Sequence, residues 1–472
     1  MTRSLAGRLS AQDASRVVIG LIYLRNTARE QPSDVWGRSE KPSWSWLVAQ
    51  TGKDRHLGPH VRWCLSEWLP EELAREDADA RRDFVPALLP AVDGILRKLV
   101  VAIDQVDRVG DLLERCLEDL SAVQAKGGHY FTPRDLVRLL VASAAPQSGH
   151  RVLDPVCGSA GLLAEADRQV RERTGLRPKL ELTGRDIHAG TLQIAQLNLA
   201  ARGIRADLGT PVDSLGEPPG GAYDIVLANP PFNMTPWYDG SAPRGDDPRW
   251  PEPLRPPRDS ANFAWILHFA HALAPQGRAS FVMADGAAAS ARRLVEKQLR
   301  RQLVQDDLVE CVVALPPGLF PHTRISCCLW LLNRDKSPHR GWGEADRRRQ
   351  VLFVDARRAY ELAPGKRQKQ RRLAADGTGR ILRTLAAWRA TEPSSGEGAV
   401  RYEDAPNWCA SRSSQDIADA EFSLLPAVYT SEDLDEDTSV DQRVDELTWE
   451  LYTKFEEAQA LESELRRALD EL

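Results

Sequence analysis

Arg151-Val-Leu-Asp-Pro-Val-Cys-Gly-Ser-Ala-Gly161 reads as a short apolar strand, a turn of small residues, and the start of a helix near Leu162. In an open α/β sheet the crevice at the carboxyl end of such a strand receives a nucleotide-like cofactor, because small residues let backbone approach it closely. Gly158, Ala160 and Gly161 supply that room. Further on, Leu180-Glu-Leu-Thr-Gly-Arg-Asp186 is a second strand ending in an acid, the placement that holds ribose hydroxyls. Asp186 is therefore the ribose candidate. A full Gly-x-Gly-x-x-Gly is missing, which argues for an adenosyl ligand other than NAD.

From this unit outward, strands near 151–155, 180–186, 223–228, 279–284, 308–315 and 326–333 alternate with helical patterns. Such alternation implies a doubly wound parallel sheet, an α/β Rossmann-like fold. A short Pro-Gly loop joins the last two strands and predicts a terminal antiparallel hairpin. Four segments are expected: a helical domain over 1–120, the catalytic α/β domain over 121–335, a mixed extension over 336–430, and an acidic amphipathic helix over 431–472. In that last helix Val444, Leu447, Leu451, Ala458, Leu461, Leu465 and Leu472, with Lys454 and Ala468 filling the weaker positions, fall at alternating steps of three and four, a seam that needs a partner. The partner is either the body of the chain or another subunit's helices. Trp36, Trp44, Trp46, Trp63 and Trp68 cluster in the first segment, where core packing is the expectation over nucleotide stacking.

The third strand runs Tyr223-Asp-Ile-Val-Leu-Ala straight into Asn229-Pro230-Pro231-Phe232. The Asn229 side-chain oxygen and the Pro230 carbonyl can each accept one hydrogen of a planar amino group, and Phe232 can stack on its ring. That grip draws the nitrogen lone pair out of conjugation, so alkylation needs no ionisable base. A Pro-rich turn after a strand is the plainer alternative, and the upstream cofactor turn weighs against it.

Together Gly128-His-Tyr-Phe-Thr-Pro-Arg134, Asp154-Pro-Val-Cys-Gly-Ser-Ala-Gly161 and Asn229-Pro-Pro-Phe232 resemble the amino-methyltransferases of DNA. Among these the chain is most similar to the modification subunits of type I restriction-modification systems. The likeness extends to Leu315-Pro-Pro-Gly-Leu-Phe320, to Val351-Leu-Phe-Val-Asp-Ala-Arg357 and to Val17–Leu24. The resemblance implies S-adenosylmethionine as cofactor. Tyr130, Phe131, Thr132 and Pro133 would wrap its methionyl end, while Asp154, Gly158, Ser159 and Gly161 would line its pocket. Asp186 would bind the ribose and Asp213 would sit by the cofactor's adenine. Asn229, Pro230, Pro231 and Phe232 would hold a flipped target adenine for methylation at N6, with no metal required. The chain departs from the family's pattern at His129, Ala160 and Asn233. The resemblance also implies a specificity subunit as partner, met through the C-terminal helix, and room in the assembly for a restriction subunit.

The net charge of −6 is divided unevenly, because acids crowd into 431–472 and leave the remainder mildly basic. Arg244, Arg249, Arg255 and Arg258 follow the amino-group motif and are candidate DNA-phosphate contacts. Lys366, Arg367, Lys369, Arg371 and Arg372 form a second basic cluster. Seven scattered cysteines lack Cys-x-x-Cys pairing, so small packing residues are expected rather than a disulfide framework or zinc site. No apolar run is long enough to cross a bilayer and no signal-peptide pattern opens the chain, which predicts a cytoplasmic protein. Cytosine N4 methylation and protein glutamine methylation use a similar grip and stay open as alternatives. A third is a cofactor-binding subunit that turns over weakly. No segment suits a separate target-reading domain, so sequence specificity is expected from a partner.

Overall fold

The computed structural model describes residues 5, 7–30, 42–68, 86–106, 112–117, 132–232, 234–238, 247–250, 254–289, 294–320, 325–339, 343–362, 371–390 and 401–431. Tyr130, Phe131, Arg244 and all but the first residue of the expected 431–472 helix lie outside these. The chain forms two compact units, Met1–Thr132 with Gln147–Ser214, and Pro133–Pro146 with Leu215–Leu472.

In the first unit, helices Ala11–Glu30, Trp44–Lys53, Leu57–Trp68 and Asp93–Asp104 surround an aliphatic core that includes Val17, Leu21, Leu47, Val61, Leu96 and Val100. Ser43 caps the second of them by accepting the Trp46 N–H at 3.2 Å. The tryptophans are mostly packing residues: Trp44 is buried and donates to Asp104 at 2.8 Å, and Trp68 donates to the Pro42 carbonyl at 2.7 Å. Trp63 is the exposed member, and Trp36 lies outside the described residues. Parallel strands β1, Arg151–Asp154, and β2, Glu181–Gly184, belong to the same unit. The helix Ala189–Ala200 explains why. Its apolar residues occupy more than one face, so Ile194 and Leu197 also join the N-terminal helical core. Arg16 and Gln193 add a 2.6 Å hydrogen bond across that contact. The expected boundary at 120 lies outside the described residues.

The second unit contains β3, Tyr223–Ala228; β4, Leu273–Ala284; β5, Val309–Ala314; β6, Cys327–Asn333; β7, Gln350–Asp355; and β10, Cys409–Ser413. Their spatial order is β10-β7-β5-β6-β4-β3. A separate hairpin pairs β8, Tyr360–Leu362, with β9, Arg371–Leu373. Strands β5 and β6 are buried along their whole length, as predominantly apolar runs covered on both faces should be, with Glu310 the buried acid in β5. The expected hairpin forms, but it is not terminal. Strand β6 runs antiparallel to both β5 and β4 and lies between them, while β7 continues parallel to β5 and β10 closes the edge antiparallel. The 336–430 segment thus contributes two strands to this sheet, along with the helix Ala375–Arg389.

That helix is fastened by charge. Arg389 grips buried Glu310 of β5 through two hydrogen bonds of 2.7 and 2.8 Å, and donates a third, at 2.9 Å, to the Ser143 carbonyl of helix Arg134–Ala144. Lys336 is also buried and reaches the carbonyls of Val309 and Gln350 and the carboxylate of Asp307. All seven cysteines are free and buried, in keeping with packing roles. Among the described residues no helix is long and apolar enough to cross a membrane.

Candidate functional site

In the first unit the turn after β1 is tied to the end of β2. Arg185 N–H donates to the Asp154 carbonyl at 2.9 Å, and Cys157 N–H donates to the Arg185 carbonyl at 2.8 Å. Gly158 adopts φ 53° and Ala160 φ 61°, both left-handed, before helix Gly161–Thr174 begins. A Cβ on Gly158 or Gly161 would meet nothing within 4 Å among the described residues, so the turn offers open backbone. Ser159 is held from below, its carbonyl accepting the Asn198 amide at 2.7 Å.

Ala160 carries a steric cost that glycine would not, since an L-residue in the left-handed region costs about 1–2 kcal/mol. Its methyl is fully buried, and that burial offsets much of the cost. Ala160→Gly is therefore expected to change stability by less than about 0.5 kcal/mol. Ala160→Val, β-branched at positive φ, should cost about 2–3 kcal/mol. Urea unfolding midpoints of the two variants distinguish a tolerated alanine from a required one.

Two carboxylates converge on the turn. Asp154 is buried at the end of β1 and accepts the Val156 N–H at 3.1 Å. Burial pushes its carboxyl up to about 8, opposed by that hydrogen bond and reinforced by the charge of Asp186. Half-exposed Asp186 accepts one backbone N–H on each oxygen, from Gly158 at 3.2 Å and His188 at 2.8 Å. Each oxygen keeps a further lone pair for a hydroxyl. The segment bearing exposed Asp213 is stitched to both strand ends: Val212 N–H donates to the Asp186 carbonyl at 3.0 Å, and the Ser214 hydroxyl to the Pro155 carbonyl at 2.6 Å. Thr132 is half-buried in the described part of the expected methionyl-end motif, and Pro133 opens the helix Arg134–Ala144 in the second unit.

In the second unit β3 delivers the amino-group motif. Pro230 is buried, and Asn229, Pro231 and Phe232 are half-buried directly after Ala228. The Phe232 ring meets Phe320 edge-on, with centroids 6.2 Å apart and planes at 71°. Phe320 was not among the residues given a role from sequence, although the Leu315–Phe320 block that carries it stood out. Beyond the motif, Trp237 and Trp250 are buried with their rings 5.8 Å apart, and Trp237 donates to the Pro257 carbonyl at 2.8 Å.

The expected DNA contact at Arg249 is corrected by its surroundings. Its side chain is fully buried, forms an ion pair with Asp247 at 2.6 Å, and donates to the carbonyls of Leu215 and Glu217 and to His268 Nδ1. Every guanidinium nitrogen is engaged inside the protein, which leaves none for a phosphate. Burial, with the charge of Arg249 next, drives His268 down to about 3, so its ring is neutral at pH 7 and can accept. Arg255 and Arg258 are exposed. Arg258 lies over the Tyr238 ring, 5.5 Å from its centroid.

A family model described as N-6 DNA Methylase matches residues 104–438. The type I restriction enzyme HindI methylase subunit of Haemophilus influenzae is 33% identical over 369 residues, covering 77% of this chain and 78% of that protein. The MjaIX methylase subunit of Methanocaldococcus jannaschii is 30% identical over 379 residues, covering 78% of this chain and 63% of that protein. In fold, the chain is similar to the type I restriction-modification system methyltransferase subunit from Streptococcus thermophilus, with TM-score 0.67, 16% identity, and coverage of 90% of this chain and 96% of the other. A modification subunit of a putative type I restriction enzyme from Vibrio vulnificus YJ016 gives TM-score 0.59 at 17% identity, covering 88% and 91% of the respective chains.

Proposed function

Because this chain belongs to the N-6 DNA methylase family, we propose that it is the modification subunit of a type I restriction-modification complex and methylates N6 of an adenine in DNA. The observation that carries this is Asn229-Pro-Pro-Phe232 at the carboxyl end of β3, with Phe320 edge-on to Phe232. A base taken out of the duplex, at a cost of about a few kcal/mol, stacks on Phe232. Its amino hydrogens are accepted by the Asn229 side chain and the Pro230 carbonyl. The lone pair so exposed would make N6 the nucleophile toward a bound methyl donor, and the surplus N6 proton would pass to water once the methyl has been transferred. Alignment and exclusion of water from the motif lower the barrier without an ionisable base.

S-adenosylmethionine, when bound, supplies the electrophilic methyl and departs as a neutral thioether. The residues present fit it: an open Gly158 turn, Asp186 with free acceptor capacity for ribose hydroxyls, and exposed Asp213 on a stitched loop. Thr132 and Pro133, with Tyr130 and Phe131 before them, would hold the methionyl end. Exposed Arg255 and Arg258, and Arg244, are assigned to DNA phosphates. The acidic heptad seam of 431–472 is assigned to a specificity subunit, since its charge disfavours phosphate and its apolar stripe suits a helix. A restriction subunit and a cytoplasmic location complete the proposal.

The test is co-expression with a type I specificity subunit, followed by nucleoside mass spectrometry of the host DNA. N6-methyladenine is expected. N4-methylcytosine would replace the base assignment, and unmethylated DNA despite cofactor binding would make the chain a silent subunit. In the same preparation Asp186→Ala should weaken S-adenosylmethionine binding by roughly 1.5–3 kcal/mol, read by calorimetry. Unchanged affinity would move the ribose elsewhere.

A further inference from the structure

The connection that follows Phe232 is built from the inside out. Arg249, fully buried and bonded to the carbonyls of Leu215 and Glu217, carries its guanidinium 4.6 Å from the Trp250 ring centroid. Trp250 meets Trp237 edge-on at 5.8 Å, and Trp237 meets Tyr238 edge-on at 4.8 Å. The tier ends at the surface, where the exposed Arg258 guanidinium stands over the half-exposed Tyr238 ring. Trp237 also fixes the far side of the connection by its 2.8 Å bond to the Pro257 carbonyl, next to Arg258. A link between two elements would need neither a buried, fully bonded arginine nor a row of three rings.

Given the function proposed above, we propose that Tyr238 and Arg258 act as one recognition element that holds the DNA phosphate flanking the target nucleotide, with Arg249 as the residue that positions it. The chemistry fits. A guanidinium fork matches two phosphate oxygens, and an aromatic face beneath it keeps the long side chain extended before DNA arrives. Pre-orientation lessens the entropy lost on binding. Tyr238 lies a few residues after Phe232, and the Ala261 N–H donates to the Met234 carbonyl at 3.2 Å, which ties both ends of the connection close to the motif, so the phosphate concerned is one beside the base held by Asn229 and Phe232. Tyr238 thus acts through its ring face, and its hydroxyl is dispensable.

The experiment measures methylation by the reconstituted complex over a range of DNA and salt concentrations. Arg258→Ala should raise the KM for DNA about tenfold and lower the salt slope of binding by about 1, with kcat and cofactor affinity unchanged. Arg255→Ala removes the same charge nearby and should have a clearly smaller effect. Tyr238→Ala should raise KM about threefold to fivefold, whereas Tyr238→Phe should match wild type. In the Arg258→Ala background Tyr238→Ala should add nothing, because the ring works by orienting the guanidinium. Arg249→Lys, with its melting temperature recorded alongside, should raise KM in wild type but not in the double variant. Equal effects of Arg255→Ala and Arg258→Ala, or additive effects of the Tyr238 and Arg258 changes, would overturn the pairing. An inactive wild-type complex would instead count against the proposed function.

Discussion

Asn229→Ala is expected to reduce methyl transfer about a thousandfold or more, a loss of about 4 kcal/mol of transition-state stabilisation, while S-adenosylmethionine affinity stays within twofold. The asymmetry follows from the side chain's task. Asn229 follows the last residue of β3, and in the proposed mechanism its amide oxygen would serve the amino group chiefly as that nitrogen becomes nucleophilic. In the ground state a water could accept the same hydrogen. During transfer the Pro230 carbonyl by itself would not align the lone pair, and the developing charge on nitrogen would strengthen the bond to the Asn229 oxygen. Asn229→Asp, which keeps an acceptor and alters the charge, should retain more activity than the alanine. Single-turnover rates beside calorimetric cofactor titrations read both quantities, and a variant that methylates at the wild-type rate would sink the mechanism.

The second large effect lies away from the chemistry. Removing the guanidinium by Arg389→Met takes both charge-assisted hydrogen bonds from Glu310, an acid only 2% exposed in the interior of the sheet. Breaking one partner of such a buried pair costs about 3–5 kcal/mol. Burial alone would raise the Glu310 carboxyl, but Arg389 and then Arg278 outweigh it and hold the group at about 2, below its ordinary 4.5. The folded state therefore favours the ionised form. Its contribution is complete above the unfolded value near 4.5 and fades as pH falls through about 2. Urea unfolding at pH 7 and pH 3 should show wild type losing stability across that window, with Glu310→Gln losing much less of it. Equal pH dependence in the two proteins would assign the acid sensitivity elsewhere.

How much of this was legible depended on whether a residue's environment is local. The β1 turn, β2, β3 and the β5–β6 pair were readable because apolar runs and small-residue turns carry their own signal over a few positions. Strand β10, Cys-Ala-Ser-Arg-Ser, carries none: it is an edge strand whose place is fixed by pairing with β7. The interior position of β6 was equally hidden, since alternation of strands and helices does not report which strands become neighbours. Arg249 was misjudged for a related reason. An arginine in a Pro-rich polar stretch reads as exposed, and only the carbonyls of Leu215 and Glu217, brought over from another part of the chain, make its burial tolerable. Ala160 reads in the sequence as one of the small residues that make room in the turn, but its left-handed backbone could not be inferred from its size.

The reversed strand β6 also sets a clock. Strand β4 has one neighbour, β3, that precedes it in the chain and one, β6, that follows it, and the span between Ala284 and Cys327 must be synthesised before the second edge can be paired. At about 5–20 residues per second that takes on the order of several seconds. If β3 and β4 pair first, the nascent chain would through this interval present Phe281, Val282 and Met283, all fully buried once folded, beside a row of unbonded backbone groups to which another strand could add. Assembly of this sheet is therefore a race between translation and misassociation, and its outcome is governed by elongation rate and by whatever shields the emerging edge.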